Sequence, residues 1–264
     1  MDLELEGRRA LVTGSTAGIG LATARLLAAE RASVIVNGRG RERVEGAVRH
    51  IREALPDADV RGIAADLSTA AGCDALADLA PDVEVLVNNL SIFAPTPFER
   101  IADAEWRRFF ETNVMSGVRL SRRYLPKMRE RDWGRIVFVS SESAVQIPAE
   151  MIHYGVTKSA QVALARGLAE TTAGTRVTVN SVLPGPTASE GVSTFVEQMA
   201  AERGVDFATM EHEFFETARP SSLLRRFATP DEVAAMIVYV CSGRATATNG
   251  AALRVDGGVV RAAL

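Results

Sequence analysis

The chain has 264 residues, with 30 Lys and Arg against 33 Asp and Glu, a formal net charge of −3 and 47% hydrophobic residues. Without a cationic excess it carries no electrostatic footprint for nucleic acid, and with so much apolar surface to bury it is not a disordered chain. The length suits one large domain, or at most two small ones.

The two cysteines, Cys73 and Cys241, have no second thiol near them in sequence. That spacing excludes a disulfide scaffold and a zinc cluster, so both read as small buried hydrophobes and no metal site is expected. Residues 1–6 are acidic and lack the apolar stretch of a signal peptide. No run approaches the length of a membrane span. The expectation is a cytoplasmic protein with neither a membrane nor a nucleic-acid partner, in which the sequon-like Asn89-Leu90-Ser91 is coincidental.

In chain order, short β-branched runs alternate with helix-like segments. Strands are expected at 10–13, 34–36, 61–64, 83–88, 135–140, 177–182 and 252–255, with helices between them at 18–31, 41–54, 73–79, 104–131, 154–172 and 230–242. Several of the strands are almost continuously apolar, the pattern of parallel strands covered on both faces. The last helix opens with Thr229-Pro230-Asp231-Glu232, an N-cap, a proline at the first helical position and a glutamate able to close a capping box. The alternation predicts an α/β fold, a doubly wound sheet of about seven parallel strands flanked by helices on both faces, in a single domain spanning 1–264. One polar segment, about 186–228, breaks the rhythm after the sixth strand. It carries amphipathic pieces at 192–199 and 210–217, with Phe195, Met199, Phe214 and Phe215, and is expected to be a substrate lid.

Thr13-Gly14-Ser15-Thr16-Ala17-Gly18-Ile19-Gly20 follows the first strand directly and opens the first helix. Glycines there let the backbone turn tightly beside a pyrophosphate, and the helix N-terminus offers free N–H groups to its charge. Gly14, Ser15, Thr16, Gly18, Ile19 and Gly20 are therefore candidate cofactor residues. The spacing is GxxxGxG rather than GxGxxG. After the second strand the chain reads Asn37-Gly38-Arg39-Gly40-Arg41, with no acid to receive a ribose 2′-hydroxyl. Arg39 can instead meet a 2′-phosphate, so NADP(H) is favoured, with NAD(H) as the alternative. Asp66-Leu67, after the third strand, is expected at the adenine edge.

Tyr154 and Lys158 stand one turn apart on a single helix face. A cation beside a phenol lowers its pKa from the reference value near ~10 and equips it for acid–base work. Ser141 lies thirteen residues upstream, at the carboxyl end of the fifth strand, where doubly wound sheets hold their ligands.

TGxxxGIG, Asn88-Asn89, Asn113-Val114, Ser141, YxxxK and Pro184-Gly185 occur in that order, and the chain ends near Val255-Asp256-Gly257-Gly258. Over essentially its whole length it resembles the short-chain dehydrogenase/reductase family. The resemblance implies a Rossmann-type NAD(P)-binding domain and an enzyme acting on CH–OH or C=O groups. Tyr154 would be the acid/base, Lys158 would lower its pKa and hold the nicotinamide ribose, Ser141 would steady the substrate oxygen, and Asn113 would keep a water in a proton relay behind Lys158. Ser140 rivals Ser141, but the interval to Tyr154 favours Ser141. Asn88 and Asn89 would join the cofactor residues, Pro184 and Gly185 would border the nicotinamide, and Thr187 would bond its carboxamide. Where the family usually reads Asn-Asn-Ala-Gly, this chain has Asn88-Asn89-Leu90-Ser91, so larger side chains are expected near the cofactor ribose and a narrower pocket with them.

In the family, residues 142–153 line the substrate pocket, which makes Glu150 and His153 the polar substrate candidates. Glu142 reads as solvated or paired, and His50 and His212 read as surface residues. The resemblance also implies a homotetramer or homodimer built on the helices at 104–131 and 154–172, whose outer faces carry Met115, Val118, Ala163 and Leu164. The leading expectation is an NADP(H)-preferring oxidoreductase that interconverts a small-molecule carbonyl and a secondary alcohol. The first alternative is a 3-oxoacyl-thioester reductase of the acyl-carrier-protein type, which needs a basic docking patch such as the stretch holding Arg122, Arg123, Lys127, Arg129 and Arg131. The second is a non-catalytic dinucleotide-sensing regulator, which would be expected to lack Tyr154 or Lys158.

Overall fold

The computed structural model describes residues 1–189, 200 and 203–263. Seven parallel strands form one sheet in the order β3-β2-β1-β4-β5-β6-β7. They are β1 (Arg9–Val12), β2 (Ser33–Gly38), β3 (Val60–Ala64), β4 (Val85–Asn88), β5 (Gly134–Val139), β6 (Val177–Pro184) and β7 (Ala252–Val255). Each expected strand is present, with no end moved by more than two residues. The α-helices that lie wholly within the described residues are α1 (Gly18–Ala29), α2 (Arg41–Ala54), α3 (Ala70–Leu79), α4 (Asp103–Phe110), α5 (Ser116–Glu130), α6 (Ile152–Glu170), α7 (Phe207–Thr217) and α8 (Pro230–Cys241).

Alternation along the strands sorts the apolar residues onto two faces. Val12, Val34, Val36, Val87 and Val137 share one buried cluster with Leu27 of α1, Val44 and Ile51 of α2 and Ile237 of α8. Leu11, Ile35, Leu86, Ile136 and Phe138 share the other with Leu76 of α3, Leu120, Tyr124 and Met128 of α5 and Ala165 of α6. Both cysteines are free and buried, as expected. The capping box of α8 is formed in both directions, Glu232 N–H to Thr229 Oγ1 and Thr229 N–H to the Glu232 carboxylate. Among the described residues no helix is long and apolar enough to cross a membrane.

The sheet order reverses direction between β1 and β4, and the crevice beyond their carboxyl ends is where such folds take ligands. One expected helix is interrupted. Instead of running unbroken over 104–131, the chain passes from α4 through a π-helical turn, Glu111–Met115, into α5. The wider turn carries Asn113 inward. Its Oδ1 accepts from Ile92 N–H at 2.8 Å, and its Nδ2 donates to Ile92 O and to Thr157 Oγ1, both at 3.0 Å. π-Turns within helices concentrate at functional sites. The amphipathic piece at 192–199, with Phe195 and Met199, lies outside the described residues. The piece at 210–217 falls within α7, where Phe214 and Phe215 pack on Phe227.

Candidate active site

A cavity of about 540 Å³ opens at the carboxyl ends of β1, β4, β5 and β6. Ala17, Gly18, Ile19 and Gly20 line one end; Ser141, Tyr154 and Lys158 line the middle; Pro184, Gly185 and Thr187 form another wall. Gly14 and Gly18 have φ of +59° and +55°, in the left-handed region that favours glycine. A Cβ on Gly20 would lie 2.5 Å from Asn89 Nδ2 and 2.6 Å from Gly14 O. Nothing larger than glycine fits there. The N-cap of α1 is Ala17, which has no side chain to cap the helix. The first N–H groups of α1 therefore face the cavity without an internal partner, which suits a pyrophosphate.

The other expected cofactor residues divide between the cavity and its support. Ser15 is fully buried: its hydroxyl donates to Val12 O at 2.6 Å and accepts from Asn37 N–H. Thr16 packs against Gly38, where a Cβ would lie 2.5 Å from its methyl group. Asn89 Nδ2 donates to the carbonyls of Thr13 and Gly14, both at 2.9 Å, and holds the turn against β4 while lining the cavity. Asn88 is buried and donates to Ser121 Oγ. Arg39 is exposed at the end of β2. Asp66 accepts from Ser68 and so caps its own turn, while Leu67 is buried in the core away from the cavity. Leu90 corrects an expectation, because its side chain packs against the core and only Ser91 reaches the cavity.

Two serines compete in sequence, and their bonds separate them. Ser140 Oγ donates to Lys158 O at 2.9 Å and so belongs to the packing of α6. Ser141 Oγ lies in the cavity and donates to Glu142 Oε2 at 2.5 Å. Glu142 is paired, as one of the two expectations had it, but it is also almost fully buried. Its carboxylate takes the Ser143 N–H and the Arg219 guanidinium, and Arg219 reaches on to Glu150 at 3.1 Å. Glu150 thus borders the cavity with its charge already engaged.

His153 departs from expectation and does not reach the cavity. Consecutive helical residues point in different directions, and its ring is buried 4.0 Å from the Phe109 ring centroid, with Trp106 on another side. Neither ring nitrogen has a hydrogen-bond partner, and burial holds its pKa down. His50 and His212 are exposed, as expected. Among the described residues no group of His, Cys, Asp and Glu is placed to hold a metal ion.

Lys158 is 2% exposed, and its ammonium donates to Val139 O at 2.9 Å and to Gln161 Oε1 at 3.2 Å. Its nitrogen stands 5.5 Å from the centroid of the Tyr154 ring. Burial pushes its pKa down to about 7, against the opposing pull of Glu142. Tyr154 behaves differently from the simple expectation of a phenol acidified by its neighbour. Burial, then the Glu142 charge, pushes its pKa up, and the Ser141 hydroxyl beside it and Arg219 pull it back. Gln161 and Arg219 were not singled out in the sequence. Gln161 stands at i+3 from Lys158, a spacing that signals a shared face. Arg219 lies in a distant segment with no motif to mark it.

Comparison with known proteins agrees with this geometry. The profile of the family described as short chain dehydrogenase matches residues 8–200. The chain belongs to the short-chain dehydrogenase family. It is 46% identical over 261 residues to the uncharacterized oxidoreductase YvaG of Bacillus subtilis, covering 99% of each chain. It is 34% identical to the D-beta-hydroxybutyrate dehydrogenase of Cupriavidus necator, covering 97% of this chain and 99% of that one. Among solved structures, L-sorbose reductase from Gluconobacter frateurii, complexed with NADPH and L-sorbose, superposes with a TM-score of 0.94 at 31% identity, over 99% of this chain and 100% of the other. This short-chain dehydrogenase is thus an NAD(P)-dependent oxidoreductase, and the uncapped α1 terminus with its glycine cradle fits that cofactor.

A base held below its unfolded pKa binds fewer protons when folded, so its contribution to stability rises with pH between the folded and unfolded values. For Lys158 that window runs from about 7 to the ordinary lysine value of 10.5. Urea unfolding of the cofactor-free protein from pH 7 to 9 should show a stability gain with pH that is reduced in Lys158→Met. Identical pH slopes in the two proteins would reject a neutralised, buried ammonium.

Proposed function

We propose that this short-chain dehydrogenase is an NADP(H)-preferring oxidoreductase that interconverts an uncharged, hydroxyl-bearing ketone and its secondary alcohol. The observation that carries the reading is the meeting of Tyr154, Ser141 and Lys158 on one wall of a cavity whose far end is the uncapped α1 terminus. Bound NADP(H) supplies or takes the hydride. The Tyr154 phenol gives a proton to the substrate oxygen in reduction and takes it in oxidation. Ser141 orients that oxygen, and Lys158 would hold the nicotinamide ribose. Asn113 supports this wall through Ile92 and Thr157, and Phe214, Ala218 and Arg219, from the stretch expected to form a lid, line the cavity.

The preference for NADP(H) rests on the end of β2. Arg39 is exposed there, no acid stands within 37–41, and the N-cap of α2 is Gly40, which has no capping side chain. A guanidinium beside a second uncapped helix terminus favours a 2′-phosphate. The preference for an uncharged substrate rests on the Glu142–Arg219–Glu150 group, in which two carboxylates share one guanidinium and keep it engaged. A carboxylate-bearing substrate would find no free guanidinium there. The L-sorbose bound by the similar reductase is a molecule of the favoured kind.

The carrier-protein alternative is weaker, because its basic patch is largely engaged. Arg123 pairs with Asp78, Arg131 with Asp82, and Lys127 donates to Pro81 O. A non-catalytic sensor has no need of both Tyr154 and Lys158 in one cavity. Half-exposed Met115, Val118 and Leu164, with exposed Ala163, offer helix faces for a homotetramer or homodimer, and light scattering at a single monomer mass would reject that assembly.

With NADPH, L-sorbose and other uncharged hydroxyketones should outpace 3-oxoacyl thioesters and keto acids in an absorbance assay. A preference for the charged compounds would overturn the substrate reading. Tyr154→Phe should lower kcat by about 10²–10⁴-fold with NADPH affinity retained, and near-normal turnover would remove Tyr154 from its role. Arg39→Ala should weaken NADPH at least about tenfold, the loss of one charge-assisted contact, while NADH binding changes little. Equal losses for the two coenzymes would remove the argument for NADP(H).

A further inference from the structure

We propose that Glu142 is the proton store behind Tyr154, reached through the Ser141 hydroxyl, and that Gln161 closes the alternative route behind Lys158. The inference rests on the reading of Tyr154 as the acid/base.

Ser141 has a single O–H, and it points at Glu142 Oε2, 2.5 Å away. One lone pair on Ser141 Oγ takes the Ser143 N–H at 3.1 Å, and the hydroxyl also stands beside the Tyr154 phenol. Ser141 Oγ thus stands between the Tyr154 phenol, with which it shares the cavity wall, and the Glu142 carboxylate. Glu142 needs Arg219 to offset the cost of burying its charge, but that pairing does not require the bond to Ser141. The groups facing Glu142 are Arg219, with Glu150 beyond it, and Tyr154 and Lys158 on α6.

Behind Lys158 a carboxamide fills the gap. Gln161 Oε1 accepts from Lys158 Nζ, and Gln161 Nε2 donates to Asn113 O. A hydroxyl or water passes a proton by accepting on one lone pair and releasing its own hydrogen from the same oxygen. A carboxamide would have to accept on oxygen and release from nitrogen, which leaves the high-energy imidic acid. Gln161 therefore orients the ammonium without conducting protons, and the Asn113 carbonyl is already engaged by it.

In alcohol oxidation, the Tyr154 O–H proton passes to Ser141 Oγ while the Ser141 proton moves to Glu142 Oε2, and the substrate hydroxyl proton restores the phenol. At each of the two hydroxyls one O–H bond breaks and one forms, and Glu142 ends as the carboxylic acid. In carbonyl reduction every transfer reverses, and Glu142 ends as the carboxylate. Reduction thus requires protonated Glu142 and oxidation requires its ionised form, so the two directions have opposite pH dependence.

The test uses the full-length enzyme with NADPH and L-sorbose, or whichever hydroxyketone the substrate survey finds to be turned over. Glu142→Gln should lower kcat about 100-fold, within the range of a lost acid–base group, with NADPH affinity unchanged, and should abolish the opposed pH limbs. Glu142→Asp should keep both limbs. Gln161→Ala, added to Glu142→Gln, should recover at least about tenfold by admitting water between Lys158 and Asn113. Unchanged limbs in Glu142→Gln would overturn the store, and absence of rescue would overturn the closed route. If no ketone is turned over, the substrate reading fails and the proton route is tested without substrate. Tyr154 ionisation, read at 295 nm as the difference from Tyr154→Phe, should fall to lower pH in Glu142→Gln and stay in place in Gln161→Leu. A midpoint unmoved by Glu142→Gln, or moved equally by both variants, overturns the proposal.

Discussion

Parallel strands covered on both faces end in a row of backbone groups that neither the ladder nor a neighbouring helix satisfies. In this chain the chemistry is gathered along that row. Thr13 Oγ1 accepts the N–H groups of Asn89 and Leu90 where β1 meets β4. The Asn89 amide takes two carbonyls of the glycine turn. Ser140, at the end of β5, takes the carbonyl of Lys158. With these closures made, the N-terminal groups of α1 remain open toward the cavity, and the site's recognition of a phosphate follows from what the fold leaves unpaired.

The second constraint is burial of charge. An ammonium and a carboxylate both lie inside the site, and they are stabilised differently. Lys158 is held by neutral oxygens from Val139 and Gln161, so desolvation dominates and its pKa falls to about 7. Glu142 is held by a guanidinium, a backbone N–H and the Ser141 hydroxyl. Tyr154 lies between the two, pushed toward the neutral phenol by burial and by the nearby carboxylate. The site of the unliganded protein is therefore biased toward a protonated phenol and a weakened cation, and the proton balance responds to Glu142 more than the Tyr–Lys spacing alone would suggest.

The π-turn ties these features together. An unbroken helix through Asn113 would have placed its amide on a different azimuth, away from Ile92 and Thr157. The extra residue per turn at Glu111–Met115 brings it inward, where its side chain fastens the loop after β4 to α6 and its carbonyl meets Gln161. A local irregularity in one helix thus sets how the chain behind Lys158 is closed.

Much of this was legible in the amino-acid order, because some signals are local. Periodicity two in the strands, the glycine turn before α1, the capping box of α8 and the i, i+4 pair Tyr154 and Lys158 all operate within a few residues, and the order of the motifs identifies the family. Other features depend on partners far apart in the chain. Ser140 and Ser141 are adjacent and chemically identical, and only the packing of α6 on β5 gives one to a helix carbonyl and the other to the cavity. Leu90 turns into the core and His153 into an aromatic box because of neighbours on other elements. The sequence by itself determined the sheet, the phosphate turn and the Tyr–Lys pair, since local geometry dictates them. Only the tertiary structure decided the burial of Glu142 by Arg219 and the bridging of Lys158 to Asn113 by Gln161, because these contacts arise when distant segments exclude water from the same small volume.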